Sequence, residues 1–297
     1  QRAHLLNACW ENDGSKAELK GIVGSAPALL AASILSPDGE ATDDSALREA
    51  PSHLFVLDDK ESAAYFLNDL QQLIGDTHNV LFFPRSARVP YQEEVTENAN
   101  IAMRAEVLNE INRHGKGLAI VTFGEAIAEQ VISKRELSEQ TFALALGEKY
   151  TMDFLDEVFI EYGFSKVDFV YEPGQYAVRG GIVDVFSYSF DHPYRIEFFG
   201  DEVDSIRKFD PISQLSVNKM TRAVVVPNIG DQSLHESVEP LFNFIPADTR
   251  IWMADAKRTE RQLEKAMERA ENAFERVSDA VKFTPPEALF ITPERLE

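Results

Sequence analysis

Cysteine is nearly absent. Cys9 is the single one in 297 residues, so no disulfide within the chain can form, and a reducing cytoplasm is the simplest compartment. Basic residues are scarce too. Lys and Arg number 29 against 50 Asp and Glu, a formal net charge of −21. Tight sequence-independent nucleic-acid binding rests on cations that neutralise phosphates. A DNA-binding module is therefore disfavoured for the chain as a whole, though a local basic patch stays open. Long apolar runs are missing: Ala26 to Leu35 is the longest, about half of the ~20 residues a membrane span needs. No secretory signal precedes it, and no membrane partner is expected. The first residue is Gln1 rather than Met, so a longer natural chain is expected. The histidines are His4, His53, His78, His114, His192 and His235. No two stand at helix-ligand spacing and Cys9 has no companion, so neither a metal site nor a cofactor is expected. Ser25 follows a glycine but lacks the GxSxG elbow, and no catalytic residue is assigned.

What is present reads as a multi-domain α/β protein, since ~100–200 residues per domain gives two or three domains. His53–Leu57, Asn79–Phe83 and Leu118–Thr122 are short runs rich in Val, Leu, Ile and Phe, as buried strands are. Between them Ala63, Phe66, Leu67, Leu70 and Ile74 recur at helical spacing, as do Ile101, Ala105, Leu108 and Ile111. Strands alternating with helices imply a parallel sheet. Pro37–Pro51 reads as a loop. Near residue 140 the pattern changes. Met152–Tyr162 is a short amphipathic helix closed by Gly163. Strands follow at Gln175–Arg179, Ile182–Phe186, Tyr194–Phe199 and Glu202–Phe209, with Gly200-Asp201 as a tight turn. After Pro227 the α/β pattern returns. Arg250–Ala254 reads as a strand, Lys257–Val281 as a helix and Leu289–Ile291 as a last strand. The expected architecture is an α/β domain in two pieces, 1–139 and 227–297, interrupted by a small α+β domain at 140–226.

Two segments have the outline of nucleotide chemistry. Gly21-Ile22-Val23-Gly24-Ser25-Ala26-Pro27-Ala28 is shaped like a phosphate-binding loop opening a helix. A working loop needs a second glycine, a lysine on the phosphates and a hydroxyl on magnesium. Those positions hold Ala26, Pro27 and Ala28, and Pro27 has no N–H to point at an anion. The plainer reading is a glycine turn before a helix packed through Leu29, Leu30 and Ile34. Asp201-Glu202-Val203-Asp204 superficially resembles a DExx metal box. It follows Gly200 in a hairpin, where solvated acids are the ordinary reading.

A third feature is a surface. Alternation in Tyr194–Phe199 puts Tyr194, Ile196 and Phe198 on one face, and Arg195, Glu197 and Phe199 on the other. In Gln175–Arg179, Tyr176 and Val178 face inward and Arg179 outward. Exposed aromatics beside arginines are the residue types that dominate protein–protein hot spots. The plainer alternative is that Phe199 packs under a loop.

Residues 171–216, YEPGQYAVRGGIVDVFSYSFDHPYRIEFFGDEVDSIRKFDPISQLS, resemble the second domain of the UvrB family and its counterpart in transcription-repair coupling factors. The resemblance rests on the glycine-aromatic strand, the VRG run, the RIEFFGDE hairpin and the IRxFDP close. GSAPALLAASIL (24–35) is similar to the helix start that replaces the ATP loop in coupling factors. NVLFFPRSARVPYQ (79–92) is similar to their strand and following segment, except at Arg85-Ser86-Ala87-Arg88. The resemblance implies a UvrB-like α/β domain with a degenerate P-loop and an inserted α+β domain. It also implies a non-catalytic module that binds the damage sensor UvrA. The family's UvrA-facing positions fall on Arg179, Arg195 and Phe199, the set that alternation turns outward together with Glu197. Outward placement implies that truncating them leaves stability within ~0.5 kcal/mol. RNA polymerase, DNA and an ATP-driven motor would be engaged by regions beyond residue 297, and a C-terminal domain of the full protein would mask the surface. A UvrB-type ATP-dependent DNA-processing enzyme is the alternative from another class.

Overall fold

The computed structural model describes residues 16–36, 50–75, 80–86, 98–188, 192–229, 237–276 and 284–291. Helix α1 (Ala26–Leu35) follows a turn in which Gly21 and Gly24 take φ of +74° and +61°. It packs on α2 (Lys60–Ile74) through Ala28, Ala31 and Ile34. Leu29, expected in that contact, is 55% exposed. The alanines face the neighbouring helix, so the larger leucine side chain is turned away. The N-terminus of α2 is capped by Asp59, whose carboxylate accepts the Ser62 N–H at 2.9 Å.

β1 (His53–Leu57), β2 (Val80–Phe82) and β3 (Ala119–Phe123) form the parallel sheet expected from their apolar runs, with α3 (Asn98–Arg113) between β2 and β3. Helices α2 and α3 bury the residues that recur at helical spacing, among them Ala63, Leu70, Ile101, Ala105, Leu108 and Ile111. The chain then passes through α4 (Gly124–Ile127), β4 (Val131–Ile132), α5 (Lys134–Gln140) and β5 (Phe142–Ala145). Helix α6 (Met152–Glu161) comes next and ends at Gly163, where φ is +74°.

A second, six-stranded sheet follows. Its strands are β6 (Ser165–Lys166), β7 (Gln175–Arg179), β8 (Ile182–Val185), β9 (Tyr194–Phe199), β10 (Glu202–Phe209) and β11 (Ser216–Met220). They lie side by side in chain order. From β7 to β11 all pairs are antiparallel. β12 (Arg222–Val225) pairs with β5, and β13 (Val238–Glu239) with β4. After α7 (Leu241–Phe244), β14 (Arg250–Met253) pairs in parallel with β1. The first sheet therefore runs β14–β1–β3–β2. The chain leaves this sheet after β3, builds the antiparallel one and returns, which is the interrupted α/β architecture. Helix α8 (Ala256–Phe274) buries Leu263, Met267 and Ala270.

One strand expected from sequence is absent. Leu289 ends a short helix, α9 (Pro286–Leu289), and Phe290 makes an isolated bridge to Glu129. Proline is favoured in the first turn of a helix, and this outweighs the apolar character of the run. Residues 37–49 of the expected loop lie outside the described residues. So do Asn79, residues 87–92, Val277 and Val281, and also Cys9, His4, His78 and His235.

The two faces of the second sheet differ. Helix α6 lays Leu155 and Phe159 on the inner face, where the Phe159 ring is 4.9 Å from that of Tyr176. Val183, Val185, Tyr194 and Ile196 join them in the main core. The approach to β7 is tight: Gly174, just before it, has φ +81°, and a Cβ there would lie 2.1 Å from the Tyr188 hydroxyl. The outer face carries a small separate core of Val170, Ala177, Phe186 and Phe209. The charged residues of interest stand beside it.

Candidate partner-binding surface

The phosphate-loop positions hold no lysine, and the helix they open has apolar contacts. Ser25 makes no side-chain cap, Pro27 sits in the first turn, and Ala28 is buried against the core. Asp201, Glu202 and Asp204 are exposed around the β9–β10 turn, and Glu202 faces Lys149 at 3.8 Å. Among the described residues no group of three or more His, Cys, Asp or Glu could hold a metal ion. No helix among them is long and apolar enough to cross a membrane.

The outer face of the six-stranded sheet is organised around Asp184. This aspartate lies in β8 opposite Ala177 of β7 and Arg195 of β9, and it has no exposed surface. Its two oxygens each accept a hydrogen bond from Arg195, from Nε and Nη2, both at 2.8 Å. Nη2 of Arg179 donates to the same carboxylate. A fork of parallel N–H···O bonds is the strong form of this pair. It compensates an acid that would otherwise be costly to bury. These hydrogen bonds hold the Arg195 guanidinium further above its ordinary pKa. The guanidinium of Arg195 also lies 4.4 Å from the centre of the Phe209 ring, and that of Arg179 lies 5.0 Å from Phe169.

Glu197, two residues on, accepts from the Ser205 hydroxyl at 2.7 Å and pairs with Arg207 across the strand. Phe199, two further on, is 84% exposed. The loop cover considered for it is not present among the described residues. Arg179, Ile182, Arg195, Glu197, Arg207, Gln214, Ser216 and Phe169 line one shallow depression. Of these, Phe169 contributes exposed aromatic surface. In a chain of net charge −21, three arginines here face two carboxylates, Glu197 in the lining and the buried Asp184 that binds two of them, which leaves a small local excess of positive charge.

Arg179, Arg195, Glu197 and Phe199 thus share one face, but they are not equally free. The Arg195 side chain is only 19% exposed, against 37% for Arg179. The expectation that truncating Arg195 would leave stability unchanged is corrected here, because its guanidinium balances a buried carboxylate. Asp184 was not singled out from the sequence. The available signal was an acid in the middle of the apolar run Ile182–Val185. Arg207 and Gln214 were missed as well, although Arg207 is the arginine of the IRxFDP close.

Residues 142–229 match the UvrB interaction domain, a stretch that runs from β5 past β12 and contains the whole face. The transcription-repair-coupling factor of Myxococcus xanthus is 30% identical over 174 residues, 57% of this chain and 14% of that protein. That of Escherichia coli (strain K12) is 26% identical over 214 residues, 72% of this chain and 17% of that protein. UvrABC system protein B of Streptococcus uberis is 27% identical over 135 residues, 44% of this chain and 20% of that protein. The chain spans a fifth or less of the length of these relatives. An interrupted α/β fold whose residues 142–229 match the UvrB interaction domain thus goes with similarity to transcription-repair-coupling factors over part of their length.

Proposed function

We propose that this chain is the recruitment module of a transcription-repair coupling factor and that the outer face of its second sheet binds UvrA. The observation that carries the reading is the exposed Phe199 on the same strand face as Arg195, an arginine already fixed on Asp184. A rigid, pre-paired guanidinium loses little freedom when a partner arrives. An aromatic with most of its surface in water gains by entering an apolar pocket. On this reading the module acts in the cytoplasm and does not itself turn over ATP. The ATP-driven motor and the contacts to RNA polymerase and DNA belong to other parts of a longer protein, and one of those parts covers the sheet before activation. Residues 140–226 serve as the separable binding unit.

The test is calorimetric titration of UvrA into the chain and its Phe199→Ala variant. The parent should bind. Phe199→Ala should lose ~2 kcal/mol or more, about thirty-fold in affinity, with an unchanged melting temperature. Equal affinity of parent and variant would remove the site from this face.

A further inference from the structure

The turn that closes the recognised segment, Asp210-Pro211-Ile212-Ser213-Gln214-Leu215, has no role in the reading above. Gln214 is the one non-glycine among the described residues with a positive φ, +61°. A side chain in the left-handed region is strained, and such strain persists where the surroundings over-determine it. The surroundings here are explicit. The Gln214 N–H donates to Asp210 O at 2.8 Å. Its amide nitrogen donates to Pro211 O at 2.7 Å and to Val170 O at 3.3 Å. Its Oε1 and backbone oxygen both accept from Arg195, at 3.2 and 3.4 Å. The Asp210 carboxylate accepts from Ser213 N–H at 2.6 Å and from the Ser213 hydroxyl at 2.7 Å, and Asp210 N–H donates to Leu215 O at 2.9 Å.

These bonds rigidify a turn whose apolar side chains have nowhere to go. Ile212 is 87% and Leu215 69% exposed. A turn needs no isoleucine or leucine for its own geometry, since the usual turn residues are Gly, Pro, Asn, Asp and Ser.

We propose that this turn is a second element of the partner-binding surface, with Gln214 as its positioning residue. It rests on the reading of the outer face as the UvrA-binding surface. Gln214 accepts from Arg195 through its Oε1 and backbone oxygen, and its amide nitrogen ties down the turn from which Ile212 and Leu215 are exposed. The partner patch this fits is an acidic residue for the guanidinium groups flanked by apolar side chains. The small positive excess of the depression in an otherwise acidic chain favours an acidic partner residue over a basic one.

The experiment is calorimetric titration of UvrA into the whole chain, with sedimentation velocity and thermal unfolding of each variant. Ile212→Ser with Leu215→Ser should weaken binding by about tenfold or more and leave melting unchanged, since both side chains are exposed. Gln214→Gly removes the left-handed penalty together with the side chain. It should weaken binding while melting stays within a few degrees of the parent, an outcome a merely structural glutamine would not give. Three results overturn the proposal. If the Ile212/Leu215 variant binds like the parent while Phe199→Ala is weakened, the turn is outside the interface and the binding face stands. If Phe199→Ala also binds like the parent, the reading of the face fails and takes this inference with it. If the parent self-associates and the Ile212/Leu215 variant becomes monomeric with UvrA binding intact, the shelf belongs to a second copy of the chain.

Discussion

Arg195→Ala tests how far the binding face is also part of the fold. The substitution removes both 2.8 Å bonds to Asp184, the two contacts to Gln214 and the stacking over Phe209. Asp184 has no exposed surface in the parent, so it relies on these guanidinium groups rather than on water. Removing one partner of a buried pair costs about 3–5 kcal/mol when the remaining charge is left uncompensated. Here Arg179 keeps its bond to the same carboxylate, which places the expected loss at about 2–3 kcal/mol. At ~4–8 °C per kcal/mol for a unit of 60–100 residues, the size class of the proposed 140–226 unit, melting of that unit should fall by about 8–24 °C. Urea unfolding gives the free energy and scanning calorimetry the temperature. Arg195→Lys keeps the charge but not the fork, and should recover part of the loss. In an Asp184→Asn background the penalty of Arg195→Ala should shrink, because no carboxylate remains to balance. The pH dependence has a definite sign. The folded pKa of Arg195 lies above its ordinary value, so its stabilisation is present throughout the neutral range and is lost only as pH rises through that high folded value. A melting temperature for Arg195→Ala equal to that of the parent would refute the claim that Asp184 depends on this guanidinium. It would also return Arg195 to the class of freely exposed contacts, where Phe199 stands.

Three further outcomes are expected. Titration with Mg-ATP should give no saturable heat, because Ala26, Pro27 and Ala28 stand where a phosphate loop has glycine, lysine and a hydroxyl residue; a micromolar dissociation constant would contradict this. Limited proteolysis should cut near residues 140 and 226 and leave a resistant fragment between them, and uniform protection across both junctions would count against a separable unit. Asp59→Ala should cost about 1 kcal/mol through loss of the α2 cap. Hydrogen bonds from Ser62 hold the Asp59 carboxyl below its ordinary value. The cap is therefore fully present above the usual carboxylate pKa and fades as pH falls through the depressed folded one, which acid unfolding of parent and variant would reveal.

The fold was legible where burial is one-sided. β1 and β3 are short runs dominated by apolar residues, and β9 alternates between its two faces. The degenerate loop was legible for a different reason, since its chemistry depends on residue types that are missing. The short strands β4, β5, β12 and β13 were not legible, because two to four residues carry no periodicity. Phe290 was misjudged because a run of three residues cannot separate the end of a helix from a strand. On the binding face, alternation gave the side on which Arg195 and Phe199 lie but not the depth of either. Depth comes from Asp184 in the neighbouring strand and from Gln214 in a turn nineteen positions away from Arg195. Neither is visible from within β9 itself.

The return of β14 to β1 has a consequence for the order in which the nascent chain can fold. Trp252 donates its indole N–H to His53 at 3.0 Å across a separation of 199 positions. That edge of the parallel sheet cannot close until most of the chain has left the ribosome. Strands β7 to β11 instead pair with their immediate neighbours in sequence, and local pairing is fast compared with long-range closure. The antiparallel sheet can therefore be assembled, with its arginine face outward, while the parallel sheet still waits for its last strand. During synthesis the proposed binding face would be ready before the parallel sheet is complete.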